Sequence, residues 1–274
     1  MPQSRVGDVI FEAHGRVGRL VIDRPTVLNA LSPSVVAGLG AAVDAATEAG
    51  CRVVVVRGAG GNLSVGADLT YLREVLDDRR ALRSYITSIG DTLGRLSAAS
   101  FVSVCAVEGY ALAGGCELML ACDLIVATDD ARIGDRHLEY GLLPGAGGSV
   151  RLTQALPPAV ARRLLYTGEI IDGRTAAGLG LVGYAVPPDR LDTEVDRLAA
   201  RLGRHPAEAL AAMKRLHTNA RTADPAQAIT AERETLLRYL EGAPAREGLA
   251  AFAEGREPDF DGIGPAEPVR RTSG

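Results

Sequence analysis

Two stretches, Ser64-Val65-Gly66-Ala67-Asp68 and Ala111-Leu112-Ala113-Gly114-Gly115-Cys116-Glu117, carry the residue types and spacing that could do chemistry. Each is a glycine-bearing turn that follows an apolar run of strand length. A turn of this kind leaves backbone N–H groups free at a helix start, where they and the helix dipole favour a negatively charged oxygen. Two such turns brought together would form an oxyanion hole, whose donors each contribute about 3–4 kcal/mol to an anionic transition state. Alternatively, the glycines only permit tight turns and close packing. Glu117 opens the apolar helical segment Leu118-Met119-Leu120-Ala121-Cys122. It either interacts with the helix N-terminus or, walled in by apolar side chains, becomes a proton-transfer group.

Other chemistries lose ground. Gly58-x-Gly60-x-x-Leu63 and Gly145-x-Gly147-x-x-Val150 lack the third glycine of a dinucleotide fingerprint, and no Gly-Lys-Ser/Thr follows a strand. Gly147-x-Ser149-x-Arg151 misses the last glycine of a nucleophile elbow. His14, His137, His205 and His217 have no metal-ligand spacing, so no metal is expected. Among 30 Lys+Arg, Lys214 is the single lysine, and the arginines are scattered against 34 Asp+Glu. Without a basic stripe, nucleic-acid binding is not expected.

The elements that must position these residues read as a mixed α/β core. Residues 9–11 and 17–22 form a hairpin around His14-Gly15-Arg16, and Ser32-Pro33 caps a helix running to about Ala49. Between Arg52 and Arg57 lies a continuous apolar run, as in a strand buried on both faces, and 101–107 and 124–127 read as further buried strands. Helical sequence at 69–98 and from about Cys116 alternates with them, which argues for parallel strands with crossover helices. From about Ala159 the pattern turns helical, and 210–239 is broken at Asp224-Pro225. Residues 1–8 have no basic stretch followed by an apolar one, so no secretory signal is expected, and no apolar run reaches membrane-spanning length. The four cysteines, Cys51, Cys105, Cys116 and Cys122, form no disulfide pattern, so a cytoplasmic location is expected.

The string 106–118, Ala-Val-Glu-Gly-Tyr-Ala-Leu-Ala-Gly-Gly-Cys-Glu-Leu, followed by Cys122-Asp123, resembles the signature of the enoyl-CoA hydratase/isomerase family, the crotonase superfamily. The similarity extends from Asp23-Arg24-Pro25 and Asn29-Ala30-Leu31 through Val65-Gly66-Ala67-Asp68 and Leu143-Pro144-Gly145-Ala146-Gly147-Gly148. It closes on Glu247-Gly248, Phe252, Pro258, Phe260 and Gly262. It implies a repeated ββα spiral core (1–195) and a helical region that builds homotrimers, often stacked as hexamers (196–262), while the Pro-, Gly- and charge-rich composition of the end of the chain predicts a mobile tail (263–274). It further implies that the Ala67 and Gly114 amides hold a thioester oxygen as it becomes enolate-like, and that Glu117 is an acid/base. The backbone around Val65 and Leu69 would accept adenine, with Arg24, Asp68 and Lys214 also in the coenzyme A site. The acyl-CoA substrate itself would bring coenzyme A, so no separate cofactor is implied.

One departure from the family pattern bears on mechanism. Hydratases of the family carry a second glutamate four residues before the glycine that here is Gly141; this chain has His137 there, with Arg136 in place of proline and Glu139 offset by two. Three roles for His137 stay open: acid/base in place of the glutamate, orientation of a polar substrate group, or packing. Hydration of a 2-enoyl-CoA is the leading expectation. Double-bond isomerisation by Glu117 alone and coenzyme A ester binding without hydration are the alternatives. Substrate walls are expected from 71–86 and the C-terminal helices.

Overall fold

Residues 3–262 are described by the computed structural model of the chain, which divides into two compact units, 1–202 and 203–274. In the first unit β1 (Gln3–Val6), β2 (Val9–His14) and β3 (Val17–Ile22) form an antiparallel edge. The β2–β3 hairpin closes through Gly15-Arg16, where Gly15 adopts φ +61°, a conformation that costs a side-chain-bearing residue energy. The sheet then continues in parallel through β4 (Val53–Gly58), β5 (Val102–Val107), β7 (Leu124–Thr128) and β10 (Tyr184–Val186).

The continuous apolar runs reflect burial on both faces. Val54, Val56, Cys105, Val107, Ile125 and Ala127 join one core with helix α1 (Pro33–Glu48) and helix α3 (Arg79–Ala98). Their alternating neighbours Val53, Val55, Val104, Ala106 and Val126 join a second core with Leu191, Val195, Leu198 and Ala199 of helix α8 (Leu191–Gly203). Helix α8 buries this stripe against the sheet, and the first compact unit ends at Leu202. Ser32 caps α1 by accepting from the Val35 N–H, with Pro33 in the first turn. The helical stretch expected at 69–98 is two helices, α2 (Leu69–Val75) and α3, because Asp78 caps a new start by accepting from the Arg80 and Ala81 amides.

A second layer of short parallel pairings carries the site. Leu31 bridges to Ala67, Ser64 bridges to Ala111, and β6 (Tyr110–Leu112) pairs with β8 (Arg132–Gly134) in the register Leu112↔Gly134. Main-sheet strands β3, β4, β5 and β7 are each followed by one of these short extended segments and then by a helix, giving the repeated ββα spiral. Helix α4 (Gly114–Ala121) follows β6. Helices α5 (Gly148–Ala155) and α6 (Pro158–Thr167), strand β9 (Ile171–Asp172), antiparallel to β8, and helix α7 (Gly173–Gly178) lead back to β10.

In the second unit, α9 (Ala207–Ala220), α10 (Pro225–Leu240) and α11 (Ala243–Glu254) follow one another. Asp224 caps α10 by accepting from the Ala226 N–H, which is the physical reason for the break read at Asp224-Pro225. Past α11, Arg256 forms a two-pronged ion pair with Glu247, whose carboxylate also accepts from the Asp259 N–H and is held down at about 2 by these contacts, the Arg256 bond first. The tail expected at 263–274 lies outside the described residues. Among the described residues no helix is long and apolar enough to cross a membrane.

Candidate active site

The register of the short pairings decides which turns meet. Leu31 N–H donates to Gly66 O, Leu112 N–H to Ser64 O and Ala113 N–H to Gly134 O, so the turns at Ala67, Gly114 and Asp135 emerge side by side from the carboxyl ends of parallel segments. Ser64, fully buried, donates through Oγ to Asn29 O and accepts from Gly66 N–H. Asn29 in turn donates to Ala59 O and Asn62 O and accepts from Arg24 N–H. This polar hub fixes the first turn. On its far side Tyr85, whose hydroxyl donates to Leu31 O at 2.5 Å and accepts from Asp68 N–H at 3.0 Å, is buried and pushed up to about 12, burial being the main cause.

The two turns are pressed together. A methyl added at Gly66 (φ +97°) would lie 2.7 Å from Gly114 N, and one added at Gly114 would lie 3.2 Å from Ala67 N. Ala113 takes φ 47° and ψ −119°, a strained conformation for a residue with a side chain, costing about 1–3 kcal/mol; it lets Gly114 start α4 with its N–H facing outward from the helix. Neither the Ala67 nor the Gly114 amide donates to an acceptor among the described residues.

Glu117, one turn into α4, is 3% exposed. Its Oε1 accepts from both Ala146 N–H and Gly148 N–H, each at 2.8 Å. These two charge-assisted bonds offset the desolvation of a buried carboxylate and leave Oε2 as its free edge. Oε2 faces His137 Nε2 at 3.9 Å. The other ring nitrogen, Nδ1, is 3.0 Å from Asp135 Oδ1. Burial pushes the His137 imidazole down, but the Asp135 hydrogen bond and the charges of Asp135 and Glu117 outweigh it, and the ring sits above its ordinary value. Glu139 turns away, 3.7 Å from Arg136 and nearly half exposed.

Ala67, Gly114, Glu117 and His137 line one cavity of about 300 Å³. Its walls are apolar: Leu72, Leu76, Leu82, Ile86 and Ile89 from α2, α3 and the segment between them, with Leu142 and Leu143 from the loop before α5. The 71–86 segment was expected there; Ile89 and the 142–146 loop were not.

The chain is similar to known proteins along most of its length. A family model described as Enoyl-CoA hydratase/isomerase matches residues 12–263. The chain belongs to the enoyl-CoA hydratase/isomerase family. Curated relatives include a probable enoyl-CoA hydratase of Mycobacterium bovis, 32% identical over 92% of this chain and 97% of that protein. A 2,3-dehydroadipyl-CoA hydratase of Escherichia coli is 31% identical over 94% of this chain and all of that protein. A crystal structure of an enoyl-CoA hydratase from Polaromonas superimposes with a TM-score of 0.87 at 30% identity, covering 92% of this chain and 98% of the other.

The remaining residues expected at an enoyl-CoA hydratase/isomerase site are placed as follows. Arg24 is engaged internally, donating through Nη1 to Ala30 O and to Asp68 Oδ2 at 3.0 Å each, with Asp8 3.5 Å from Nε. Asp68 caps α2 by accepting from the Thr70 and Tyr71 amides, and its carboxyl lies below the usual range: the hydrogen bonds to Arg24, Tyr71 and Thr70 outweigh burial, the largest single influence. The Val65 N–H donates to Leu28 O, and Leu69 is exposed at the start of α2. Lys214 lies half-buried on α9 in the second unit. Three contributors carried no prior assignment: Asp135, the Ala146 and Gly148 amides, and the Asn29–Ser64 hub.

Proposed function

We propose that the chain catalyses reversible hydration of 2-enoyl-CoA thioesters, with the acyl-CoA as substrate and no further cofactor. One observation carries this reading: two unpaired main-chain amides open into the same apolar cavity as a buried glutamate and an imidazole that face each other at 3.9 Å. The thioester oxygen sits between the Ala67 and Gly114 N–H groups, which take up the negative charge that develops when a nucleophile adds to C3. Water lies between Glu117 Oε2 and His137 Nε2. Glu117 removes one water proton as the oxygen bonds to C3, and the protonated His137 ring donates its Nε2 proton to C2 as the enolate returns its electron pair. The product is the 3-hydroxyacyl-CoA. Proton return from Glu117 to His137 across their short separation resets the pair.

An imidazole held above its ordinary value suits this division of labour, because it remains a competent proton donor near neutral pH. The carbonyls of Val65 and Leu69 would meet adenine. Arg24 and Asp68 would hold that turn in place, and Lys214 would meet a phosphate. In the C-terminal helices Met213, Ile229, Leu236, Leu237, Leu249 and Phe252 are exposed, which supports assembly into a homotrimer or a dimer of trimers.

The test is incubation of purified protein with crotonyl-CoA while following loss of the conjugated thioester absorbance, with the product identified by mass. An 18 Da gain is the expected result. A migrated double bond without mass change would replace hydration by isomerisation, and binding without any reaction would replace catalysis altogether.

A further inference from the structure

Asp135 is 2% exposed and holds His137 twice: its carbonyl accepts the His137 N–H at 2.6 Å, and its Oδ1 meets Nδ1 at 3.0 Å. Its other oxygen, Oδ2, is buried with no hydrogen-bond partner among the described residues. That oxygen fits only because residue 148 is glycine, where a Cβ would lie 2.7 Å away. A buried carboxylate with one oxygen unpaired is costly, and the bond to the imidazole is what its side chain has in return. A carboxylate can only accept, so it selects the ring form with hydrogen on Nδ1.

We propose that Asp135 is a positioning residue that holds the His137 ring with Nδ1–H turned inward and Nε2 turned to Glu117 and the cavity, so that the second proton-transfer group of this site is an imidazole–carboxylate pair. The inference rests on the acid/base role given to His137 above, and it adds the residue through which that role is set. The ring nitrogen facing substrate is then a lone pair when the ring is neutral and a donor when it is charged, and the Asp135 carboxylate stabilises the charged form. Other ionisable groups nearby do not compete for the ring. Glu117 of α4 faces Nε2, Arg151 of α5 acts on Glu117, the Cys116 thiol is held neutral by burial, and Arg136 and Glu139 pair with each other.

Nuclear magnetic resonance of 15N-histidine-labelled protein tests this directly, because the chain has only four histidines and His137→Gln identifies the signal. In the unmodified protein the neutral ring is expected as the Nδ1–H form. In Asp135→Asn, whose amide oxygen can still accept from Nδ1, the tautomer should persist while the midpoint falls by about one pH unit. Turnover of crotonyl-CoA by this variant should drop about 10- to 100-fold in kcat, with little change in KM and a pH profile displaced in the same direction. An Nε2–H ring in the unmodified protein, an unmoved midpoint in Asp135→Asn, or a uniform loss at every pH would overturn the proposal. If the variant does not fold, the tautomer in the unmodified protein decides. The resonance measurement needs no turnover, so a protein that fails to hydrate enoyl-CoA but shows the Nδ1–H ring would overturn the proposed reaction and leave the pairing intact.

Discussion

Replacing Glu117 separates two jobs that one carboxylate performs. Its Oε1 satisfies the amides of Ala146 and Gly148, and its Oε2 faces His137 and the cavity. Glu117→Gln keeps a carbonyl oxygen for the two amides but cannot remove a proton from water. Glu117→Ala removes both functions and leaves two buried donors without an acceptor. At about 1–3 kcal/mol for each unsatisfied group, the alanine variant should lose about 2–6 kcal/mol of stability, before any contribution from the cavity. The glutamine variant should stay within about 1–2 kcal/mol of the unmodified protein, since it loses only the charge assistance of those bonds. Loss of acid/base chemistry should lower its kcat about 10²- to 10⁴-fold, or about 3–5 kcal/mol of barrier. Denaturant unfolding gives the first comparison, and the crotonyl-CoA absorbance assay gives the second. A glutamine variant retaining more than about a tenth of the original kcat would refute the assigned role. Equal stability of the two variants would refute the amide argument.

Gly66→Ala places a methyl 2.7 Å from Gly114 N on a backbone at φ +97°, so steady-state kinetics on folded variant should show at least about a 100-fold loss in kcat. His137 sits above its ordinary value in the fold, so its stabilising contribution is complete below about pH 6.5 and is lost as pH rises through the raised folded value. Unfolding midpoints measured across this range should decline in the unmodified protein and flatten in His137→Gln. Among the described residues that line the apolar cavity, none but His137 is a cation for a carboxylate at the far end of a bound acyl chain. Competition assays should therefore favour crotonyl-CoA over 2,3-dehydroadipyl-CoA by about 100-fold or more in kcat/KM, reflecting the cost of burying an unpaired charge. Leu249→Glu combined with Phe252→Glu, at positions 65% and 87% exposed, should lower the particle mass in sedimentation equilibrium from that of the proposed trimer or dimer of trimers to that of a monomer, and an unchanged mass would contradict the proposed assembly.

Five of the seven main-sheet strands were legible, the central ones because burial on both faces writes itself as apolar runs such as the four valines at 53–56, whereas the short β1 and β10 were not. The helix start at Ser32 was legible through its capping side chain and the proline beside it, and Asp224-Pro225 was legible as a break, whereas the Asp68 cap came only with the fold. The second layer was not legible. β6, β8 and β9 span three residues or fewer, too few for an alternation to emerge, yet their register decides which turns meet. Glu117 and His137 stood out by residue type and family position, whereas Asp135 needed three dimensions: a carboxylate two residues before a histidine reads as a surface charge until burial and the 3.0 Å contact are seen. The acceptor of the Ala146 and Gly148 amides lies about thirty residues earlier in the chain, and only the fold brings it there. Arg24 read as part of the coenzyme A site, and the fold adds that its guanidinium donates to Asp68 and Ala30.

The central claim is that the Ala67 and Gly114 amides polarise a thioester carbonyl beside Glu117. Isotope-edited infrared spectroscopy of 2-enoyl-CoA carrying a 13C carbonyl, bound to the slow Glu117→Gln variant, measures this polarisation directly. The carbonyl stretch should fall on binding, and the fall should disappear when Gly66→Ala is added. A bound carbonyl that absorbs where it does in water would contradict the account.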